Sequence, residues 1–275
     1  MSALARPATV PREPLVDIGV NLTAEAFAED RDAVIARARE QGVLRQLVTG
    51  TDLAHSEAAI ALARAHPGEL FATAGVHPHD AARVPQDWLT RLEALARAPE
   101  VRALGETGLD FARNYSPPRD QERAFLAQLD LALSLDLPLF LHERDTEGRL
   151  LELLATRTGP LRGVVHCFTA DAAALERTLA LGLHVGITGW ICDERRGEAL
   201  RRLVREIPAE RLLLETDAPY LLPRTLRPKP RSRRNEPGWL PWVVEQVARC
   251  RDEDPRDVAR ASTANACALF DLPAP

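Results

Sequence analysis

Val101-Arg102-Ala103-Leu104-Gly105-Glu106-Thr107-Gly108-Leu109-Asp110 is the stretch on which the fold turns. Residues 101–105 form an apolar run of strand length, and the strand then ends in Gly105 to Asp110, delivering two carboxylates at one point. Seven comparable runs flank it, at 15–20, 44–49 and 70–76 before it and at 138–141, 163–166, 184–187 and 212–215 after it. Between them lie amphipathic stretches that read as helices: 24–40, 55–65, 88–97, 118–135, 146–156, 172–181, 197–206 and a C-terminal pair beginning near Trp239. The fourth follows Ser116-Pro117-Pro118, a natural start because proline is tolerated in a first helical turn. Runs spaced by roughly 20–40 residues are βαβ units of a parallel sheet, and eight of them predict a closed (β/α)₈ TIM barrel. One barrel takes about 250 residues, so the 275 present predict a single domain over 15–275 behind a flexible segment at 1–14. The one long irregular stretch, 219–238, is rich in Pro and Arg and marks a functional or mobile loop.

Composition sets limits. With 45% hydrophobic residues the chain can build a large core, and a net charge of −5 argues against a general coat for nucleic acid, so any such contact must be local. Residues 1–14 contain no apolar h-region and no later run approaches the roughly 20 apolar residues of a membrane span, which predicts a cytoplasmic protein. Cys167, Cys192, Cys250 and Cys267 show no CxxC spacing and read as reduced thiols. No surplus apolar helix face is evident, and a monomer is expected.

In such a barrel the chemistry sits at the C-terminal face of the strands. There strand three ends in Val76-His77-Pro78-His79, strand four in Glu106 and Asp110, strand five in His142, strand six in His166-Cys167-Phe168 and strand eight in Glu215-Thr216-Asp217. A lone histidine at a strand end is ordinarily a satisfied polar residue. Four of the seven gathered on one face, with carboxylates beside them, are instead what a hydrolytic divalent cation requires, since imidazole and carboxylate fill part of its shell and leave room for water. Glu106, His142, His166 and Asp217 are therefore assigned as metal ligands, with Glu106 and Asp217 catalytic and Asp217 the general base. Asp17, ending strand one, and Asn21 behind it are further candidates for that site. The loops after strands seven and eight are cationic, one containing Trp190, Arg195 and Arg196, the other Arg224, Arg227, Lys229, Arg231, Arg233, Arg234 and Asn235. Guanidinium forks match phosphate oxygens, and Trp190 or Tyr115 can stack an unpaired base.

Several segments resemble the TatD family of metal-dependent deoxyribonucleases, of the amidohydrolase-like superfamily. They are Asp17-Ile18-Gly19-Val20-Asn21, Gly75-Val76-His77-Pro78-His79, Gly105-Glu106 with Gly108-Leu109-Asp110, His142 with Arg144-Asp145, His166-Cys167-Phe168-Thr169, Gly186 to Trp190, Cys192 to Gly197, Glu215 to Leu221, and Arg233-Arg234-Asn235-Glu236-Pro237, in that order from about Val16 to about Phe270. Where many barrel amidohydrolases carry His-x-His at the first strand, this chain has Gly19-Val20-Asn21. That departure leaves open whether one or two ions bind. The resemblance implies a Mg²⁺-dependent exonuclease, with Mn²⁺ or Zn²⁺ as alternative ions, acting on the 3′ ends of single-stranded DNA and RNA in DNA damage repair. It also implies that His77 and His79 bind or orient substrate; Arg144, Trp190, Arg233, Arg234 and Asn235 are further candidates for contacts with substrate or its phosphates. Two other readings fit the residues: an amidohydrolase acting on a small molecule, and a non-enzymatic protein that binds a partner.

Overall fold

The computed structural model describes residues 6–7, 10, 12–157 and 159–275. Eight strands, β1 (Leu15–Val20), β2 (Val43–Val48), β3 (Leu70–Ala74), β4 (Val101–Asp110), β5 (Leu139–Arg144), β6 (Gly163–Val165), β7 (His184–Ile187) and β8 (Leu212–Leu214), follow one another in that order in one sheet. Helices alternate with them: α1 (Arg31–Glu40), α2 (Leu53–Ala65), α3 (Trp88–Ala96), α4 (Pro118–Leu135), α5 (Arg149–Ala155), α6 (Ala172–Ala180), α7 (Glu198–Leu203), then α8 (Leu240–Arg251) and α9 (Pro255–Phe270) after β8. This is the (β/α)₈ TIM barrel that the sequence predicts. By its internal contacts the chain forms two compact units, residues 48–184 and residues 1–47 with 185–275.

In the unit of 48–184, β4 pairs in parallel with β3 and β5, and β5 with β6. The fully buried Leu104, Phe125 and Phe140 help fill its core. Two buried glutamines on α4, seven residues apart and hence on one face, reach the backbone at strand ends. Gln128 accepts from Val76 N at 2.7 Å and donates to Val76 O at 3.0 Å. Gln121 accepts from Asp110 N at 2.8 Å and donates to Asp110 O at 3.1 Å and Ser116 O at 2.8 Å. Buried peptide groups need partners, and here a helix supplies them at the residues that carry the chemistry.

In the other unit, β7 pairs with β8, and Val20 bridges Ala218 in parallel beside β1. α9 packs on β1 and β8. Arg37 and Arg234 both bond Asp30 and Glu236, and Arg234 also lies over the Phe27 ring.

The expected elements differ from the observed ones in instructive places. β4 continues to Asp110 and β5 to Arg144, where the sequence suggested ends at 105 and 141. Gly, Asp and Glu are poor strand formers, but the ladder Gly108↔His142 and Asp110↔Arg144 holds them extended. The helix expected at 24–40 is a 3₁₀ turn, Glu25–Phe27, followed by α1; the break falls at Asp30, whose carboxylate is taken by Arg37 and Arg234. The expected flexible segment falls largely on residues outside those described; within it, Arg6 Nε bonds Val10 O at 3.0 Å and Val10 is buried.

Candidate metal centre and its surroundings

Strand alternation places Glu106 and Asp110, four residues apart, on one side of β4. His142 sits opposite Gly108 on the neighbouring β5. Gly108 has φ +147°, and a Cβ there would lie 1.9 Å from His142 O, so only glycine allows this approach. His77 follows β3, its N–H bonded to Thr51 O at 2.8 Å, and His166 follows β6, its N–H bonded to Leu141 O at 2.9 Å.

These elements converge on a single carboxylate oxygen. Glu106 Oε1 lies 2.7 Å from His166 Nε2, 2.8 Å from His142 Nδ1 and 3.3 Å from His77 Nε2. His77 Nε2 and His142 Nδ1 are 3.3 Å apart. Neighbouring ligands around an octahedral ion at about 2.1 Å stand roughly 3 Å apart, so this set fits a small divalent cation with only minor adjustment. His77, Glu106 and His142 offer donor atoms within 4.8 Å of one another, and His166 touches the same carboxylate oxygen.

The other nitrogen of His142, Nε2, faces Asp110 Oδ2 at 3.3 Å, and His79 Nε2 meets that same oxygen at 2.8 Å. Asp110 Oδ1 accepts from Arg113 N at 2.8 Å. A carboxylate on the far nitrogen fixes the tautomer of a liganding imidazole and leaves its near nitrogen free to coordinate. Burial works to raise the Glu106 pKa, but the His166 and His77 charges with bonds from His142 and His166 outweigh it and hold the carboxylate well below its usual range. Burial likewise opposes ionisation of Asp110, and bonds from His142, Arg113 and His79 overcome it. Burial lowers the His77 pKa; at His142 it acts the same way but loses to bonds from Asp110 and Glu106, which raise the value. His79 is the most open of the four imidazoles, its side chain 28% exposed, and the exposed Tyr115 ring stands edge-on to it at 4.7 Å.

Three of the four residues assigned as ligands thus meet in the unit of 48–184, joined by His77 and His79, which the resemblance placed with substrate. Asp110 was given no role in the sequence reading, although its even spacing from Glu106 on one strand was the available signal. Arg144 lies at the end of β5, half-buried.

The remaining candidates belong to the other unit. Asp217 has φ +53°, donates its N–H to Gly19 O at 2.9 Å, and accepts at Oδ1 from Asn21 Nδ2 at 3.1 Å. Asp17 is fully buried and holds the same segment: Oδ1 accepts from Thr216 N at 2.9 Å and Gly19 N at 3.3 Å, and Oδ2 pairs with the Thr216 hydroxyl. Burial pushes its pKa up to about 8. Asn235 is buried, donating to Thr216 O at 3.0 Å and accepting from Glu236 N at 2.9 Å. Arg234 is engaged by Asp30 and Glu236, whereas Arg233 and Trp190 line a cavity. Burial pushes the Cys192 thiol up to about 12, in keeping with an inert hydrophobe. Among the described residues no helix is long and apolar enough to cross a membrane.

The sequence model of the family described as TatD related DNase matches residues 16–271. A protein of Erwinia billingiae named 3′-5′ ssDNA/RNA exonuclease TatD is 54% identical over 261 residues, which cover 94% of this chain and all of that protein. Its namesake in Salmonella typhimurium is 52% identical, covering 94% and 99%. Among solved structures, a TatD homologue from Escherichia coli K12 superposes with a TM-score of 0.86 at 30% identity, covering 94% of this chain and 98% of that one.

Proposed function

Given that this chain belongs to the TatD related DNase family, we propose that it is a divalent-metal-dependent 3′–5′ exonuclease hydrolysing single-stranded DNA and RNA. The observation that carries the proposal is the convergence of three imidazole nitrogens on Glu106 Oε1 at 2.7 to 3.3 Å. Substrate class and direction of attack come from the names of the relatives.

Glu106, His142, His77 and His166 are proposed to hold the ion. Bound there, a divalent cation supplies Lewis acidity for a phosphodiester oxygen and lets water ionise near neutral pH. Asp110 keeps the His142 proton on Nε2, so that Nδ1 presents its lone pair. His79, tethered to Asp110 and open to solvent, orients the incoming phosphate with Tyr115 beside it. Asp217 keeps the role read from the sequence, ligand and general base, with Asn21 and Asp17 setting its position. Sites rich in imidazole bind later first-row ions more tightly and prefer them to Mg²⁺. After chelation, Mn²⁺ should therefore restore activity at a lower concentration than Mg²⁺.

The test is 5′-labelled single-stranded DNA incubated with Mg²⁺, Mn²⁺ or chelator and resolved on a sequencing gel. A ladder receding from the 3′ end and abolished by chelator is expected. Intact strands with either ion, in a folded protein, would refute the proposal.

A further inference from the structure

In the unit of 1–47 and 185–275, β8 ends at Leu214, and two residues later the chain enters Thr216-Asp217-Ala218-Pro219 with Asp217 at φ +53°. A left-handed residue other than glycine persists where its surroundings over-determine it, and here each backbone N–H and C=O of the turn has a partner. Thr216 N donates to Asp17 Oδ1 at 2.9 Å, and Ala218 N to Thr216 Oγ1 at 3.3 Å. Asp217 N donates to Gly19 O at 2.9 Å, Asp217 O accepts from Tyr220 N at 2.9 Å, and Ala218 O accepts from Asn21 N at 2.8 Å. Two acceptors remain, Thr216 O and Pro219 O, and one residue takes both. Asn235 donates its Nδ2 to the first at 3.0 Å and its backbone N–H to the second at 2.9 Å. β1 thus supplies part of the frame, and the returning end of the loop that leaves at 219 supplies the rest.

The amide of Asn235 is committed inward. The residue is fully buried, and its Oδ1 accepts from Glu236 N at 2.9 Å. Glu236 is in turn fixed by Arg37 and Arg234, so the amide projects from an anchored backbone. A side chain with no exposed surface and both amide atoms bonded within the protein cannot meet a substrate phosphate. That sets it apart from Arg233, two residues earlier and exposed. We infer that Asn235 is a positioning residue for Asp217: its buried amide closes the turn that aims the Asp217 carboxylate, and it makes no contact with substrate. The inference rests on the reading of Asp217 as ligand and general base. Without the amide, Thr216 O is buried with no donor, and the left-handed turn relaxes and carries the carboxylate with it. Misplacing a reacting group by about 1 Å costs on the order of 100-fold in rate.

In the Mn²⁺-loaded, full-length protein, Asn235→Ala should lower kcat on single-stranded DNA about 10–100-fold and leave KM unchanged. A second readout needs no metal: amide hydrogen exchange in the chelated protein should quicken at Asp217 and Ala218 but not along β7. Asn235→Ser, which retains a hydroxyl and leaves less space empty, carries the same test if the alanine variant does not fold. Arg251→Gln removes bonds to Val204 O and Ile207 O and controls for lost stability: Tm should fall and kcat hold. Asp217→Ala combined with Asn235→Ala should be no slower than Asp217→Ala alone. A raised KM with wild-type kcat would make Asn235 a substrate contact and overturn the inference. Additive losses in the double variant, or an Arg251→Gln kcat as low as that of Asn235→Ala, would do the same. Wild-type kcat in Asp217→Ala would remove the reading of Asp217, and quickened exchange would leave the clamp on the turn standing without it. Unchanged exchange in Asn235→Ala overturns the clamp whatever Asp217 does.

Discussion

At the scale of single residues, Asp110 ties two imidazoles together, its Oδ2 lying 3.3 Å from His142 Nε2 and 2.8 Å from His79 Nε2, so its loss should be felt at the metal rather than in the fold. Glu106, His142 and His166 could be picked out because each ends a strand-length apolar run. Asp110 could be placed beside Glu106 by its even spacing on one strand, but nothing in a linear reading says that its one carboxylate oxygen will face both His142 Nε2 and His79 Nε2. Its role predicts that Asp110→Asn leaves the fold intact yet lowers kcat or divalent-ion affinity by about 10–100-fold, the usual cost of losing a carboxylate behind a liganding histidine. Metal titration and steady-state kinetics on the variant check it, and wild-type values would remove the role. Asp17 makes a separate prediction about pH. Its folded pKa of about 8 lies above the usual 3.8 because burial disfavours the anion. The folded state therefore holds a proton that the unfolded state releases above about pH 4, and this contribution to stability is full below that point and is lost as pH rises towards 8. Asp17→Asn, which can accept from the two backbone N–H groups and donate to Thr216, should flatten the pH dependence of urea unfolding between 4 and 8; an unchanged profile would contradict the assignment.

Among the elements, β4 and α4 show what one-dimensional patterns miss. The sequence ended β4 at 105 because Gly-Glu-Thr-Gly-Leu-Asp has poor strand propensity, yet pairing to β5 carries it to Asp110 and puts both carboxylates on a rigid support. Bounds of α4 were legible to the residue, Pro118–Leu135, since proline starts it and its apolar period is clear. What the helix does was hidden: a buried glutamine has no apolar signature, and Gln128 acts through Val76, the residue before His77. Gln128→Leu leaves the Val76 N–H and C=O buried without partners, at about 1–3 kcal/mol each. Equilibrium urea denaturation should show that loss, and a variant as stable as wild type would mean that water or a shifted backbone replaces the amide. Gly108→Ala puts a Cβ 1.9 Å from His142 O at a φ of +147°, so it should cost more than about 2 kcal/mol and displace His142, depressing kcat even where folded protein is recovered.

For the molecule as a whole, the (β/α)₈ class was legible because eight strand-length runs recur at βαβ spacing, a pattern that survives errors in any one boundary. Which arginines serve the fold and which face solvent was not legible, since Arg231, Arg233 and Arg234 differ only in what the folded chain brings to them. A site with three imidazoles on one carboxylate also couples metal to stability. A divalent ion at about 100 times its Kd should add roughly 2.7 kcal/mol and raise Tm by several degrees over the chelated protein. The most direct test of the central claim is the anomalous scattering of Mn²⁺ in crystals of the protein. The account predicts a peak bonded to Glu106 Oε1 and His142 Nδ1, and absent from crystals of Glu106→Gln. A Mn²⁺ peak that avoids these atoms, or persists unchanged in Glu106→Gln, would contradict it.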